Sequence, residues 1–309
     1  MMQIVSSTAT GLLYKTLRYI HTYGSLIGKT WDAIDISLQL TNPAASFVFQ
    51  RKQHWVWALQ ELSDRLNPMF KNPGYAYRFR SNWARKLEKE NGTFVYTYGG
   101  IYRKQVPAVL KALKNKSTRE AVISVWNSDS LLENQVHGKR TPCTLNHHFI
   151  IREHHLYLFT NMRTSDAVNL LCYDIFHHCM LQSYVAAKLG IGLGDFMLRL
   201  DHAYYQKKRR ETKNIDRIID ELSLNIIAPS PVFGFTKDHL DEDMKLHYHV
   251  IELARAGSFS EALDLASTIF NLFVKEWSLS LVVAESSLRG HTLKHQFELP
   301  EFQFIHKQL

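Results

Sequence analysis

Three cysteines, Cys143, Cys172 and Cys179, are all that 309 residues provide. An odd count without framework spacing excludes a disulfide-built secreted scaffold and fits a reducing cytoplasm, where each thiol is judged by its reactivity. Proline is also scarce, at 8, and glycine numbers only 14, so collagen-like and low-complexity architectures are out. No run of about 18 uninterrupted apolar residues occurs, which argues against a membrane-spanning helix. Met1 to Ser7 lack a basic stretch leading into an apolar one, so no secretory signal is expected. No repeat of fixed period is found.

What is present is ordinary globular material, 45% hydrophobic and 21% charged, enough for one large or two small domains with a sizeable core. The 37 basic residues exceed the 29 acidic ones, for a net charge of +8. That balance favours anionic partners such as nucleotides or nucleic acid.

The periodicity predicts a helix over Gly11–Tyr23 and a strand over Ala33–Leu40 with Ile34, Ile36, Leu38 and Leu40 on one side. Phe47–Leu66 reads as one long buried helix ended by Asn67-Pro68, and Trp83–Glu90 as a short charged helix. Further helices are expected over Val106–Lys114 and Tyr173–Leu189, the latter stopped by Gly190, with a strand over Ala121–Trp126. Phe149–Ile151 and Leu156–Phe159 flank a polar turn and read as a hairpin. Asp216–Leu224 fits a strand or a helix, and His247–Ala256, Ser260–Val274 and Trp277–Leu288 form a helical C-terminal third. The mixture argues for α+β, a twisted mixed or antiparallel sheet flanked by helices.

Several motifs fail on spacing. Gly24 to Thr30 resembles a phosphate loop but is one residue short, and Gly190, Gly192 and Gly194 follow a helix instead of a strand. The pairs His147-His148, His154-His155 and His177-His178 put adjacent side chains on opposite sides, a poor basis for a zinc site. The run Lys207–Arg210 has no aromatic platform, so a solvated face is favoured over a nucleic-acid contact.

One constellation survives. Pro142-Cys143-Thr144 precedes the strand pair; Asn161-Met162-Arg163-Thr164-Ser165-Asp166 follows at about twenty residues. Tyr173-Asp174 and His202-Ala203-Tyr204 come next, with Tyr98-Gly99-Gly100 and Ser117-Thr118-Arg119 upstream. A nucleophile, several arginines, an acid and ordered Tyr/His donors are what a nucleotide-modifying site needs.

In order and spacing this set resembles the thymidylate synthase superfamily, and within it the deoxycytidylate hydroxymethylase branch. The resemblance runs over about residues 91–205, extends loosely over 24–90 and fades after about 215, which suggests a domain over 1–235 and a diverged helical region over 236–309 that could belong to the same domain. It implies that Cys143 is the nucleophile adding to C6 of a pyrimidine, its pKa lowered by a neighbouring cation, and that Tyr98 assists removal of the C5 proton. It implies that Arg163 and Lys29 bind the 5′-phosphate, and that Arg119 reaches the partner's site across a homodimer. Ser165 and Asp166 belong to the substrate-binding stretch, and His202 and Tyr204 match the pair that binds the sugar 3′-hydroxyl. Asp174 stands where thymidylate synthases carry asparagine. A carboxylate accepts hydrogen bonds, which suits the N4 amino group of cytosine and opposes O4 of uracil.

The resemblance further implies methylenetetrahydrofolate as one-carbon donor. Two departures stand out. The family's catalytic glutamate falls on His54, or on Lys52 in another register, and the tail Glu298–Phe302 differs from the usual closing segment. The expectation is an enzyme converting dCMP to 5-hydroxymethyl-dCMP. A C5 methyltransferase on dCMP or dUMP and a catalytically lost nucleotide- or RNA-binding protein are the alternatives.

Overall fold

The computed structural model describes all residues except 1, 50–52, 128, 130–131, 133–135, 137, 207–214, 227–232 and 308–309. Lys52 and the basic run Lys207–Arg210 therefore lie outside the described residues. Among the described residues eight strands form one mixed sheet: β1 (Met2–Ser6), β2 (Ser25–Ile27), β3 (Thr30–Leu40), β4 (Val122–Ser124), β5 (Thr144–Arg152), β6 (His155–Met162), β7 (Ser165–Asp166) and β8 (Gly192–Gln206). The spatial order is β1-β3-β8-β6-β5-β4, with β2 added to β3 and β7 to β8. β1 runs parallel to β3 and β6 parallel to β8, while β3–β8, β5–β6 and β4–β5 are antiparallel.

The three parallel pairs, β1–β3, β6–β8 and β7–β8, require crossovers, and helices supply them. α1 (Ala9–Tyr23) returns the chain from β1, its first turn capped by Thr8, which accepts the Gly11 N–H at 3.1 Å. Leu12, Leu13, Leu17 and Ile20 are fully buried beneath it. α5 (Leu171–Leu189) carries the chain from β6 to β8 and ends where Gly190 takes φ +65°, a left-handed cap that glycine adopts without strain. Buried nearly all round, α5 sequesters both His177 and His178.

Between these crossovers in the chain come α2 (Trp55–Leu66), α3 (Ser81–Ala84) and α4 (Tyr98–Ala112), with α4 packed against α2 and β4. The C-terminal third is helical, as expected. α6 (Ile215–Leu224) is followed by α7 (Leu240–Ala256), α8 (Phe259–Ser267), α9 (Leu272–Leu288) and α10 (Pro300–His306). It shares the main core: the Trp277 indole donates to the Leu59 carbonyl at 3.0 Å, and His247 lies 3.1 Å from Ser63 Oγ.

Several expectations are corrected. Ile34 faces outward at 75% exposure, because Asp35 adopts φ +54° and breaks the alternation before Ile36, Leu38 and Leu40 turn inward. The long helix begins only at Trp55. Phe47 and Phe49 precede it, buried by ring contacts with Trp55 and Phe304 instead of helical pairing. Trp83–Glu90 is helical only through Ala84, since the charged residues beyond offer no apolar stripe, and Leu87 packs with Phe94 in a small separate cluster. The helix expected from Val106 starts eight residues earlier, at Tyr98, capped by Thr97. The strand at Ala121–Trp126 shortens to Val122–Ser124, and Ser260–Val274 splits where Asn271 caps α9. Gly24–Thr30 forms the β2–β3 hairpin, with Lys29 exposed in its turn.

Candidate active site

The hairpin β5–β6 brings the central pair together. Glu153 and His154 at its tip both take positive φ, +48° and +61°, as a tight turn matched to strand twist requires. A register shift between Thr144 and Asn146 leaves Thr144 opposite Met162. Cys143 and Arg163, the next residues on either side, then face each other, and the Arg163 N–H donates to the Cys143 carbonyl at 2.9 Å. A separation of twenty residues in sequence thus becomes a single backbone hydrogen bond. The Arg163 side chain grips the segment before the cysteine, its Nε donating to Pro142 O at 3.0 Å and Nη2 to Thr141 Oγ1 at 3.2 Å. Nη2 lies 3.9 Å from Cys143 Sγ.

Cys143 lines a cavity with Tyr98, Ser165, Asp174, Trp57, Arg65 and His177. Tyr98 enters from the first turn of α4, its hydroxyl 3.1 Å from Thr144 Oγ1. Gly99 lets α4 approach α2, since a Cβ there would sit 2.4 Å from the Asp64 carbonyl oxygen. Asp174 projects from the first turn of α5 and accepts a 2.7 Å hydrogen bond from Ser165 Oγ. Burial raises its carboxyl to about 6 and nearby Asp166 adds to the rise, against the Ser165 bond and the charge of Arg65.

The expected lowering of the Cys143 pKa is not what the site produces. Burial pushes the thiol up and Asp174 pushes the same way, outweighing Arg163 and Arg140. Burial also drives Tyr98 well above the ordinary phenol range, with Arg65 the main opposing charge.

The other expected residues divide. His54 caps the start of α2 and lines a neighbouring cavity with Asp166, Tyr204, Arg80 and Asn169. Burial and Arg80 lower its pKa, so its ring is neutral at physiological pH. Asp166 is engaged in the turn before α5, where its carboxylate accepts the backbone N–H groups of Val168 and Asn169, each at 3.1 Å. His202 is held between Asp32 at 2.9 Å and Thr164 at 3.1 Å, and stacks on Tyr204, so it does not line the Cys143 cavity. Arg119 and Lys29 are exposed and lie outside both cavities. Sequence reading passed over Arg65, Glu61 and Asp64, three ionisable residues on one face of α2 that also line the Cys143 cavity. The available signal was charge inside an otherwise buried helix.

The family model described as thymidylate synthase matches residues 30–248 of this chain. The chain belongs to the thymidylate synthase family. It is 23% identical over 214 residues to thymidylate synthase 1 of Bacillus spizizenii, covering 61% of this chain and 69% of that protein. It is 23% identical over 223 residues to thymidylate synthase of Bacillus licheniformis, covering 70% and 77%. Among solved structures, the fold is similar to that of thermostable thymidylate synthase A from Bacillus subtilis, with a TM-score of 0.55 at 18% identity over 69% of this chain and 84% of that one.

The thymidylate synthase family uses methylenetetrahydrofolate as its one-carbon donor and acts on pyrimidine nucleoside monophosphates. The neighbouring cavity lined by His54 fits such a donor: it shares Leu170 with the Cys143 cavity, and its wall combines Phe79 with the cations Arg80, Lys86 and Arg140. An aromatic wall suits a flat heterocycle and cations suit carboxylates. Among the described residues no group of three or more His, Cys, Asp or Glu side chains could hold a metal ion, and no helix is long and apolar enough to cross a membrane.

Proposed function

We propose that this family member is a hydroxymethyltransferase acting at C5 of dCMP, converting dCMP, methylenetetrahydrofolate and water to 5-hydroxymethyl-dCMP and tetrahydrofolate. The observation that carries the reading is Asp174: a carboxylate, oriented by Ser165, in the wall of the cavity that holds Cys143. A carboxylate accepts from the N4 amino group of cytosine, whereas an amide serves uracil equally well.

Cys143 is the nucleophile. Its thiol, protonated at rest, ionises as sulfur adds to C6, and Arg163 at 3.9 Å, together with Arg140, is placed to stabilise the charge. Addition makes C5 nucleophilic. Methylenetetrahydrofolate supplies the one-carbon unit, and His54, Asp166, Tyr204, Arg80, Lys86 and Arg140 line the space that would hold it. Tyr98, hydrogen-bonded to Thr144, is placed to relay the C5 proton. His54 is assigned to the position of the family's glutamate, as a neutral imidazole able to order water from the neighbouring cavity, while Glu61 and Asp64 are the α2 carboxylates in the wall of the Cys143 cavity. Arg163 and Lys29 are assigned to the phosphate, and His202 and Tyr204 to the sugar. Arg119 is assigned to the partner's site in a homodimer and the chain to the cytoplasm.

The test is tritium release from dCMP, dUMP, CMP and UMP labelled at C5, with and without methylenetetrahydrofolate, followed by product mass. Release from dCMP with a hydroxymethyl product is expected. A methyl product would assign the chain to C5 methylation instead. No release from any of the four would sink the reading in favour of nucleotide or RNA binding without turnover.

A further inference from the structure

Arg65 is an arginine inside the protein. Its side chain is 7% exposed, on a helix whose neighbouring residues Leu62, Ser63 and Leu66 are buried. Nε donates to Glu61 Oε1 at 3.1 Å, one helical turn back. The guanidinium carbon lies 4.0 Å from the centre of the Tyr98 ring, the geometry of a cation over an aromatic face. The side chain lines the Cys143 cavity. Burial works against its charge, but Glu61, Tyr102 and Tyr98 together hold the guanidinium protonated.

A buried ion pair of this kind is poor value for stability alone, because desolvating both charges offsets most of their attraction. Its orientation gives it another use. Tyr98 and Tyr102 on α4, His147 on β5, and Asp174, His177 and His178 on α5 all feel the cation. Glu61 acts on Tyr96 and Tyr102. Burial first, and Arg65 in addition, keep His147 and His177 neutral; His178 is lowered by burial, then His147, then Arg65. With all three imidazoles neutral, Arg65 is the cation shared by the phenol and the carboxyl of the reaction site.

We propose that Arg65 is a positioning residue for Tyr98 and Asp174: fixed by Glu61 against the face of Tyr98, its guanidinium supplies the positive charge shared by the phenol that relays the C5 proton and the carboxyl that receives the base. The proposal rests on reading the Cys143 cavity as the reaction site, and its test separates the two. The full chain is labelled with [13C]aspartate, the Asp174 carboxyl signal is assigned by its loss in D174N, and its pH titration is followed by NMR. In the double variant R65M/E61Q, which removes both charges together, the midpoint moves up by about one pH unit, as loss of a nearby opposite charge requires. R65K keeps the charge and brings it most of the way back. The pH profile of tritium release from C5-labelled dCMP moves upward in step.

A folded R65M/E61Q with an unmoved Asp174 midpoint overturns the proposal. If that variant does not fold, E61Q replaces it: the cation loses its counter-charge, the midpoint falls, and an unchanged midpoint overturns the proposal equally. If the midpoint moves as expected while the unaltered protein releases tritium from no pyrimidine, the reaction assignment fails and the field of Arg65 stands.

Discussion

Asp174 bears on both the proposed chemistry and a measurable property of the fold. Its carboxyl is raised to about 6 from an ordinary value near 4, chiefly by burial, so the folded chain binds this proton more tightly than the unfolded chain does. The contribution is therefore fully favourable below about pH 4 and is lost as pH rises through about 6. D174N removes the ionisable group while keeping an oxygen for Ser165. It should raise stability by roughly 1–3 kcal/mol at pH 7 and leave it nearly unchanged at pH 4, read from urea unfolding at the two pH values. The same change should invert base preference, moving the ratio of kcat/KM for dUMP over dCMP up by about 100-fold or more, because unpaired polar groups reject the wrong base strongly. Equal ratios before and after would remove Asp174 as the selecting residue. Cys143→Ala belongs to this scale too: it should abolish tritium release while leaving the melting temperature within a few degrees, and normal exchange would rule out a covalent adduct at Cys143.

At the scale of elements, two junctions build the site. One is the hairpin β5–β6, and it was legible: two β-rich runs around a polar turn, with Cys143 and Arg163 at matching distances from it. The other is the packing of α4 on α2, and it was not. Tyr98-Gly99-Gly100 looks like a loop, yet Thr97 caps it into a helix, accepting the Gly100 N–H at 3.2 Å. Gly99 is small because the backbone of α2 passes against it, a contact between residues thirty-five apart that local pattern cannot express. Arg65 was hidden for the same reason: its partner on α2 is visible as a four-residue spacing, but the ring it covers belongs to another helix. Gly99→Ala should cost on the order of 1–3 kcal/mol from the forced separation of the helices, and should slow C5 exchange more than the lost stability explains, because Tyr98 moves with α4. Thermal unfolding and exchange measured on one preparation check both halves. An exchange rate that is unaffected despite the lost stability would mean that Tyr98 is placed by something other than this contact.

For the whole molecule, the sheet has two unlike faces. His147, Phe149, Phe196 and Leu198 point into the core beneath α1 and α5. On the other face the strand register lines up Gln39, Met197, Phe159, His148 and Val122 in one row across five strands. Phe159 and Met197 are only partly covered there, and Val122 is 43% exposed. A partly covered row on a sheet with Met197, Phe159 and Val122 in it is the kind of surface a symmetric partner buries, and family members usually form dimers. Phe159→Glu should convert a dimer to a monomer in analytical ultracentrifugation, since a carboxylate at the centre of such a face would be desolvated without a partner. A dimer would also account for Arg119, which is exposed and absent from its own chain's cavity. If Arg119 serves the partner's site, R119A and C143A should each be inactive alone, yet mixing equal amounts and allowing subunits to exchange should restore activity. Half of the dimers would then be mixed, each with one site that has both native residues, so about a quarter of the unaltered activity should return. No recovery after verified subunit exchange would place Arg119 outside the partner's site and leave the phosphate to Arg163 and Lys29 of the same chain.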